Sequence, residues 1–200
     1  MENELQFEQF QKLSRMKRDC VITEKIDGTN AQICFDAVGN ILVGSRKRQI
    51  WPEGTEGKDK GCDNAGFAQW VYSLKEELFA FLGEGRHFGE WCGLGIQRKY
   101  GLDKKLFLLF NTNRFGPDRQ EIPETLSKEG LDCVPVLYTG VFTTDAVDNI
   151  MKQLEETGSH LNGFHNPEGI VVYHTALRNY FKVTYDHDMT GKGPNRQSPN

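Results

Sequence analysis

A lysine and an aspartate stand two positions apart in the stretch VITEKIDGTNAQI, residues 21–33. Apolar and β-prone residues flank Lys25 and Asp27 and predict that the pair lies at the end of a buried strand. Burying a lysine is costly unless its charge is lost or compensated. A lysine amine is a nucleophile only when unprotonated, and burial and nearby cations lower the pKa of lysines from about 10.4. The stretch therefore indicates either a nucleophile on a rigid strand or an ordinary strand lysine paired with Asp27.

Five further strand-like stretches place a charged or aromatic residue within or beside apolar neighbours. Arg46 ends VGSR, Glu90 lies within HFGEWCG and Phe110 ends LFLLF. Glu168 precedes GIVVYH, and Lys182 lies within YFKVTY. Each residue alone has an ordinary explanation, because strand-end glutamates and strand lysines are usually solvated. The order of the whole series along the chain carries the functional prediction.

The ordered series resembles the covalent nucleotidyltransferases, which are the ATP-dependent RNA and DNA ligases and the mRNA capping enzymes. The motifs EKIDGTN, FGEW and EGIVVYH are most similar to those of the small RNA ligases related to the bacteriophage type-2 enzymes. The resemblance extends over about residues 20–185. The resemblance implies an ATP-dependent RNA ligase acting in three steps. These are formation of lysyl-AMP, transfer of AMP to an RNA 5′-phosphate, and sealing by a 3′-hydroxyl.

The resemblance implies roles for the residues around the nucleotide. Lys25 matches the lysine that attacks the α-phosphorus of ATP and expels pyrophosphate, and Asp27 is expected to position groups or balance charge in that pocket. Asn30 matches a position near the ribose or the phosphate, although a turn residue that opens the next strand is an equal alternative. Glu90 matches the glutamate that accepts a hydrogen bond from the ribose 2′-hydroxyl. Phe110 matches the aromatic ring that stacks on adenine.

Arg46 matches an arginine that contacts the ribose and helps to read the 3′ end of a nicked strand. Its planar fork of donors suits phosphates and hydroxyls. Lys47 and Arg48 are alternatives, and strand alternation would make Arg46 and Arg48 face the same way. Asn111 stands where relatives often have aspartate, which argues against an acidic role at that position.

Two residues near the end of the series are matched to the phosphates and a metal ion. Glu168 matches an acid beside Mg²⁺ (or Mn²⁺), which prefers carboxylate oxygens together with water. Lys182 matches a lysine that contacts the α-phosphate, but the second lysine of that motif is replaced here by Thr184. Losing that cation should weaken transition-state stabilisation. Lys192 and Arg196 are candidate substitutes.

The bulk composition is that of an ordinary globular protein. The 200 residues are 38% hydrophobic and 26% charged, with a net charge of −4, so a nucleic acid must be held by a local basic face. The basic loop 98–105 around Tyr100 is one candidate, beside its interpretation as a solvated loop. Five scattered cysteines without a CxxC pair predict reduced thiols. The absence of a membrane-length apolar run or a signal-peptide core favours the cytoplasm. The resemblance implies ATP and RNA ends as partners, and we expect a monomer.

The hydrophobic pattern predicts an α+β fold of antiparallel sheets with a few packed helices. Residues 1–188 are predicted to form one nucleotidyltransferase domain, 189–200 a flexible tail, and 52–66 a loop. Helices are predicted over 4–16, with Leu5, Phe10 and Leu13 inward, over 66–82, and over 144–156, with Thr144 as N-cap. Strands are predicted over about 20–26, 30–36, 41–45, 86–92, 106–111, 133–138, 169–174 and 180–185, the first three as an antiparallel meander.

Two alternative functions remain open. The first is a DNA ligase or a capping-type nucleotidyltransferase. These normally carry a C-terminal oligonucleotide-binding (OB) barrel, which the roughly 15 residues after FKVTY cannot form. The second is a self-adenylylating module that binds nucleotide or RNA ends but seals poorly. The threonine at position 184 motivates this second alternative.

Overall fold

A computed structural model describes residues 6–59, 61–117 and 119–186. The predicted tail 189–200, with Lys192 and Arg196, lies outside these residues. The elements, in chain order, are β1 (Asp19–Lys25), β2 (Thr29–Phe35), β3 (Ile41–Ser45), α1 (Phe67–Ser73), α2 (Lys75–Leu82), β4 (Gly85–Gly93), β5 (Lys105–Leu109), α3 (Thr112–Phe115), α4 (Glu124–Lys128), β6 (Leu131–Cys133), β7 (Val136–Val141), α5 (Thr144–Thr157), β8 (Gly169–His174) and β9 (Asn179–Thr184).

The strands form two sheets, and the α+β class predicted from the sequence is confirmed. The sheet that contains Lys25, here called the Lys25 sheet, has the order β7-β1-β8-β9 and is antiparallel throughout. The second, the Glu90 sheet, has the order β3-β2-β4-β5-β6. Its β5–β6 pair is parallel, so this sheet is mixed rather than purely antiparallel as predicted.

Helices cover one face of each sheet. Helices α1 and α2 bury the outer face of the Glu90 sheet around Phe67, Trp91 and Phe107. Helix α5 buries one face of the Lys25 sheet, where Ile22 and Met151 are fully buried. A third, smaller cluster joins the two sheets and consists of Ile26, Cys92, Tyr100, Leu108 and Val134. The two sheets therefore pack together at this third cluster.

The predicted three-strand meander is wrong at its first connection. Strands β2 and β3 pair as expected, but β1 pairs with β7 and β8 in the other sheet. Three residues, 26–28, carry the chain across, and such a short connection normally predicts a hairpin. A Cβ at Gly28 would lie 2.5 Å from the Trp91 carbonyl oxygen, so only glycine fits this crossing.

The strand predicted over 133–138 is two strands in different sheets. Strand β6 ends at Cys133 on the edge of the Glu90 sheet, and β7 begins at Val136 on the edge of the Lys25 sheet. Pro135 lies between them and has no N–H for a ladder, which ends the first strand. Its carbonyl accepts from the Glu24 N–H at 2.9 Å and starts the pairing with β1.

The helix predicted over 4–16 is wrong for its described part. Residues 6–15 have no regular secondary structure, and the side chains of Phe7 and Phe10 are 94% and 87% exposed. A short amphipathic helix needs a surface on which to bury its apolar side. These side chains contact no core surface in the part of the chain that the structure describes, so the pattern alone did not make a helix.

Two helix predictions are confirmed with changed bounds. The predicted 66–82 helix is broken at Leu74 into α1 and α2. The N-cap of α5 is Thr143 rather than Thr144, because the Thr143 hydroxyl accepts from the Ala146 N–H at 3.0 Å. Residues 52–59 and 61–66 form turns and loops as expected. All five cysteines are free. No helix within the described residues is long and apolar enough to cross a membrane.

Candidate active site

A polar cleft of about 300 Å³ lies between the C-terminal end of β1 and the Glu90 sheet. It brings together five of the residues singled out in the sequence. Its lining is formed by Lys25, Ile26, Asp27, Gly28, Thr29, Asn30, Arg46 and Glu90. A second cavity, between β7 and α5, measures about 60 Å³ and is too small for a nucleotide.

Lys25 and Glu168 form an ion pair at the C-terminal end of β1. Lys25 lies opposite Gly169 in the β1–β8 register, so the residue before Gly169 reaches the lysine. The Lys25 Nζ to Glu168 Oε1 distance is 2.7 Å, and the side chains are 24% and 19% exposed. A Cβ at Gly169 would collide with the Val183 carbonyl, so glycine allows β8 and β9 to pair closely here. The lysine amine is thus held at a rigid strand end.

The two carboxylate oxygens of Glu168 differ in their hydrogen bonding. Its Oε2 is buried and has no hydrogen-bond partner among the described residues. A buried polar atom without a partner is costly, and a carboxylate oxygen is a preferred ligand of Mg²⁺. Within the same residues, no group of three or more His, Cys, Asp and Glu side chains is arranged to hold a metal ion. Glu168 is therefore the side chain here whose chemistry fits a divalent cation.

Glu90 faces Lys25 from the other sheet, and both of its oxygens are engaged. Its Oε2 accepts from Asn30 Nδ2 at 2.7 Å, and its Oε1 accepts from the Gly28 N–H at 3.1 Å. Burial raises the pKa of Glu90 to about 7, although the hydrogen bonds and the charge of Lys25 oppose that shift. Asn30 lies directly opposite Glu90 in the β2–β4 register, which fixes this contact. Asn30 thus joins the cleft rather than serving only as a turn residue.

Asp27 is tied to the loop that follows β4, which the sequence did not indicate. Its N–H donates to the Tyr100 hydroxyl at 2.7 Å, and its Oδ2 lies 3.1 Å from Arg98 Nε. Arg98 also pairs with Asp186 at 2.9 Å and donates to the Asn166 carbonyl at 2.9 Å. Burial raises the pKa of Tyr100. Arg98 and Tyr100 are therefore structural supports of the cleft, not parts of a solvated basic loop.

Arg46, rather than Arg48, is the arginine of the cleft. Arg46 lines it and is exposed. The guanidinium of Arg48 donates to the Gly61 carbonyl at 2.8 Å, which occupies it in the neighbouring loop. The expected alternation does not apply because Ser45 N–H donates to the Arg48 carbonyl at 2.9 Å and closes a turn.

Phe110 and Lys182 lie beside the cleft rather than in its lining. Phe110 follows β5, is partly exposed, and its N–H donates to the Phe88 carbonyl at 2.9 Å. This contact continues the ladder in which Glu90 opposes Leu108, so Phe110 is on the Glu90 side of the sheet. Lys182 opposes Val171, which in turn opposes Thr23. Lys182 therefore shares the face of Lys25, one alternate position away along the strands.

Thr184 and Asn111, the two positions that depart from the family pattern, each have a defined place in the structure. Thr184 opposes Gly169 in the same cross-strand row as Lys25 and is buried. Asn111 is the N-cap of α3, because its Oδ1 accepts from the Arg114 N–H at 3.2 Å. An asparagine is as good an N-cap as an aspartate, so Asn111 can cap α3 although it carries no charge.

The class of protein follows from a comparison with known families. The family model described as RNA ligase matches residues 18–184, which is most of the chain. The chain belongs to the RNA ligase family.

Solved structures of Naegleria gruberi RNA ligase share the fold. A lysine-to-methionine variant with AMP and Mn is 20% identical, with a TM-score of 0.57 over 84% of this chain and 50% of that chain. A lysine-to-alanine variant with ATP and Mn is 19% identical, with a TM-score of 0.56 over 86% of this chain and 50% of that chain. The chain thus spans about half the length of these structures. No curated protein matches the sequence.

Proposed function

We propose that this chain is the nucleotidyltransferase (adenylation) domain of an ATP-dependent RNA ligase, formed by residues 1–188. The observation that carries the proposal is the contact between Lys25 Nζ and Glu168 Oε1, which are 2.7 Å apart at the edge of a polar cleft that Lys25 and Glu90 line. Family membership and a fold like that of a ligase with bound ATP support it. The alternative of a DNA ligase or a capping enzyme has no such support.

Lys25 is proposed to attack the α-phosphorus of ATP. The new N–P bond forms as the bond to pyrophosphate breaks, and the amine must first lose a proton. Glu168 Oε1 is the acceptor already within hydrogen-bond distance of that amine. The strand end restricts the approach of the amine, which favours in-line attack. Lys182 is proposed to contact the α-phosphate from the adjoining row of the sheet.

Glu168 is also proposed to hold a divalent cation through its buried Oε2, with phosphate oxygens and water as the other ligands. A bound Mg²⁺ or Mn²⁺ would neutralise charge on the triphosphate. Solved variants of the Naegleria ligase replace a lysine and the aspartate two positions later, and a glutamate and the lysine fourteen positions later. Lys25 and Asp27, and Glu168 and Lys182, have the same separations here.

The Glu90 sheet is proposed to orient the nucleoside. Glu90, held by Asn30 and Gly28, would accept from the ribose 2′-hydroxyl. Arg46 at the rim would bind the ribose or a phosphate, and Phe110 would stack on adenine. Asp27 would fix the position of the loop between Lys25 and Glu90. Arg98 pairs with the Asp27 carboxylate, and the Tyr100 hydroxyl accepts from the Asp27 N–H.

A second candidate is a self-adenylylating module that seals RNA poorly. Thr184 favours it, since a neutral residue lies in the same cross-strand row as Lys25 where the family usually has a lysine. Such a module would form lysyl-AMP but would release little joined product. The two candidates therefore differ in the steps after self-adenylylation.

The deciding experiment measures label retained on the denatured protein after incubation with Mg²⁺ or Mn²⁺ and ATP labelled at the α-phosphate. GTP labelled in the same way tests base selection. Lys25→Ala should abolish the label, whereas Lys105→Ala, which removes a strand lysine bonded to the Ala65 carbonyl, should retain it. No label on the wild type with either metal would refute the proposal.

A second assay then separates the ligase from the module. The labelled protein is chased with nicked duplexes in which the strand to be sealed is RNA or DNA. Joined RNA supports the ligase, and joined DNA alone would move the assignment to a DNA ligase. Labelled protein without any joined product supports the module.

A further inference from the structure

The Lys25 sheet has one buried face and one uncovered face. Helix α5 covers the first, on which Cys20, Ile22 and Ile170 are fully buried. The second carries the alternate residues of the same strands, and outside the row of Lys25, Gly169 and Thr184 each of them is partly or largely exposed. We call this surface the open face. Its members outside the cleft are Asp19, Val21, Thr23, Val136, Thr139, Val141, Val171, Tyr173, Tyr180 and Lys182.

Two tyrosines form an aromatic platform on the open face. Tyr173 and Tyr180 are directly opposed on β8 and β9, and their ring centroids are 4.8 Å apart at an interplanar angle of 38°. Tyr180 is 62% exposed even though it belongs to a paired strand. Large aromatic side chains normally bury most of their surface, so the exposed ring of Tyr180 offers an apolar surface to a partner.

The platform is continuous with the Lys25 cleft. Cross-strand pairing places Lys25, Gly169 and Thr184 in one row. The next row contains Lys182, and the row after that contains Tyr173 and Tyr180. Four residues along a strand correspond to roughly 14 Å. A strand of stacked nucleotides advances by about 3.4 Å per step, so a base on the platform would be a few nucleotides from the reacting end.

The charge around the platform favours a nucleic acid. Arg178 and Lys182 stand two residues before and two residues after Tyr180, and both are exposed. Neither forms an ion pair with another residue that the structure describes. Phosphates are bound by such cations, and bases stack on aromatic rings whatever their identity. Asp19 is an exposed acid on the same face, so Arg178 and Lys182 together outweigh it and give this surface a local positive balance in a chain whose net charge is −4.

We propose that the Tyr173–Tyr180 platform, with Arg178 beside it, binds the RNA strand next to the end that is joined. Unpaired or terminal bases would stack on the exposed ring of Tyr180 while the guanidinium of Arg178 contacts the backbone. The proposal rests on the proposed ligase function for its substrate. It assigns RNA binding to the open face, whereas the cleft binds the nucleotide.

The test compares variants for RNA affinity and for self-adenylylation separately. A Tyr173→Leu/Tyr180→Leu double variant keeps apolar, β-compatible side chains but removes both rings. We expect it to bind a fluorescent nicked RNA duplex at least tenfold more weakly than the wild type, with self-adenylylation unchanged. Tyr180→Phe should bind like the wild type, because the ring is retained.

Phe181→Leu is the matched control. Phe181 is the next residue on β9, lies on the opposite face, and is 45% exposed. Equal RNA affinity for the double variant and the wild type would overturn the proposal, as would an equal loss in Phe181→Leu. If the double variant also loses self-adenylylation, Tyr180→Leu alone is tested for RNA affinity and for self-adenylylation. The proposal is overturned if this single variant retains both at the wild-type level.

Two further outcomes separate this inference from others. If the wild type binds nicked RNA through the tyrosines but never self-adenylylates, the platform stands and the proposed catalytic function fails. If sedimentation shows a wild-type dimer that the double variant dissociates, while RNA affinity does not change, the open face binds a second copy and the RNA platform is wrong.

Discussion

The Lys25 sheet and the Glu90 sheet each bring one glutamate close to Lys25, and the two carboxylates have different partners. Glu168 contacts a lysine amine with one oxygen, and its other oxygen has no partner among the described residues. Glu90 uses both oxygens to accept from the neutral donors of Asn30 and Gly28. Burial raises the pKa of Glu90 to about 7. The surroundings, and not the residue type, therefore suit Glu168 to bind a cation or an amine and Glu90 to orient a neutral donor.

The largest effect is expected at Glu168. In Glu168→Gln the lysine loses its anionic partner and the proposed cation loses its carboxylate. Self-adenylylation should fall by about 10²- to 10³-fold, the range measured when one transition-state contact is removed. Initial rates with labelled ATP measure it, with the exposed Glu76→Gln as control. A rate within threefold of the wild type would show that Glu168 has no part in this step.

Glu90 should make the folded protein less stable as the pH rises. Its folded pKa of about 7 lies above the reference value of 4.5, so between these values the folded state binds more protons than the unfolded state. Stability from this site is present below pH 4.5 and is lost as the pH rises through 7. The loss reaches at most about 3 kcal/mol.

Glu90→Gln removes that dependence. Rotation of the Asn30 amide lets it accept from the new Gln amide, so both hydrogen bonds can be kept. Urea unfolding from pH 4.5 to 8 should show a variant that becomes more stable than the wild type as the pH rises. Parallel pH curves for the two proteins would contradict the raised pKa of Glu90.

Arg98 links Asp27 to residues next to β8 and β9. Its removal should have a smaller effect than the changes at Glu168 and Glu90, and mainly on stability. Arg98→Ala leaves Asp27 without its ion pair and the Asn166 carbonyl without a donor. The free energy of unfolding should fall by about 2 kcal/mol, a value discounted because the pair with Asp186 is largely exposed. Arg98→Lys should recover only part, because a lysine lacks the planar fork. Lys99→Gln, one residue on, is the control, and an equal loss there would exclude a role for Arg98.

The smallest effect is expected at Asn111. Asn111→Asp restores the residue that relatives often carry, and the aspartate can still cap α3. Stability should change by less than about 0.5 kcal/mol. Any gain in self-adenylylation or sealing would then measure what an acid beside Phe110 contributes. Thermal unfolding and the labelling assay test both statements.

The linear sequence determined the identity and the local setting of the chemical groups. Lys25, Glu90, Glu168 and Lys182 lie on or beside the strands that alternation predicted, with bounds that shifted by at most one residue. Apolar alternation reports which residues a strand buries, and glycines report where chains approach closely. These are local properties, so one chain segment suffices to read them.

Tertiary structure alone decided which strands share a sheet and what supports the cleft. The crossing at residues 26–28 resembles a hairpin connection, and the break at Pro135 sends adjacent strands to different sheets. Arg98 is 71 residues from Asp27 in sequence, and the polarity of its loop is equally typical of a solvated surface. Register, long-range pairing and the burial that raises the pKa of Glu90 depend on residues far apart in the chain. They are settled only when both sheets are packed.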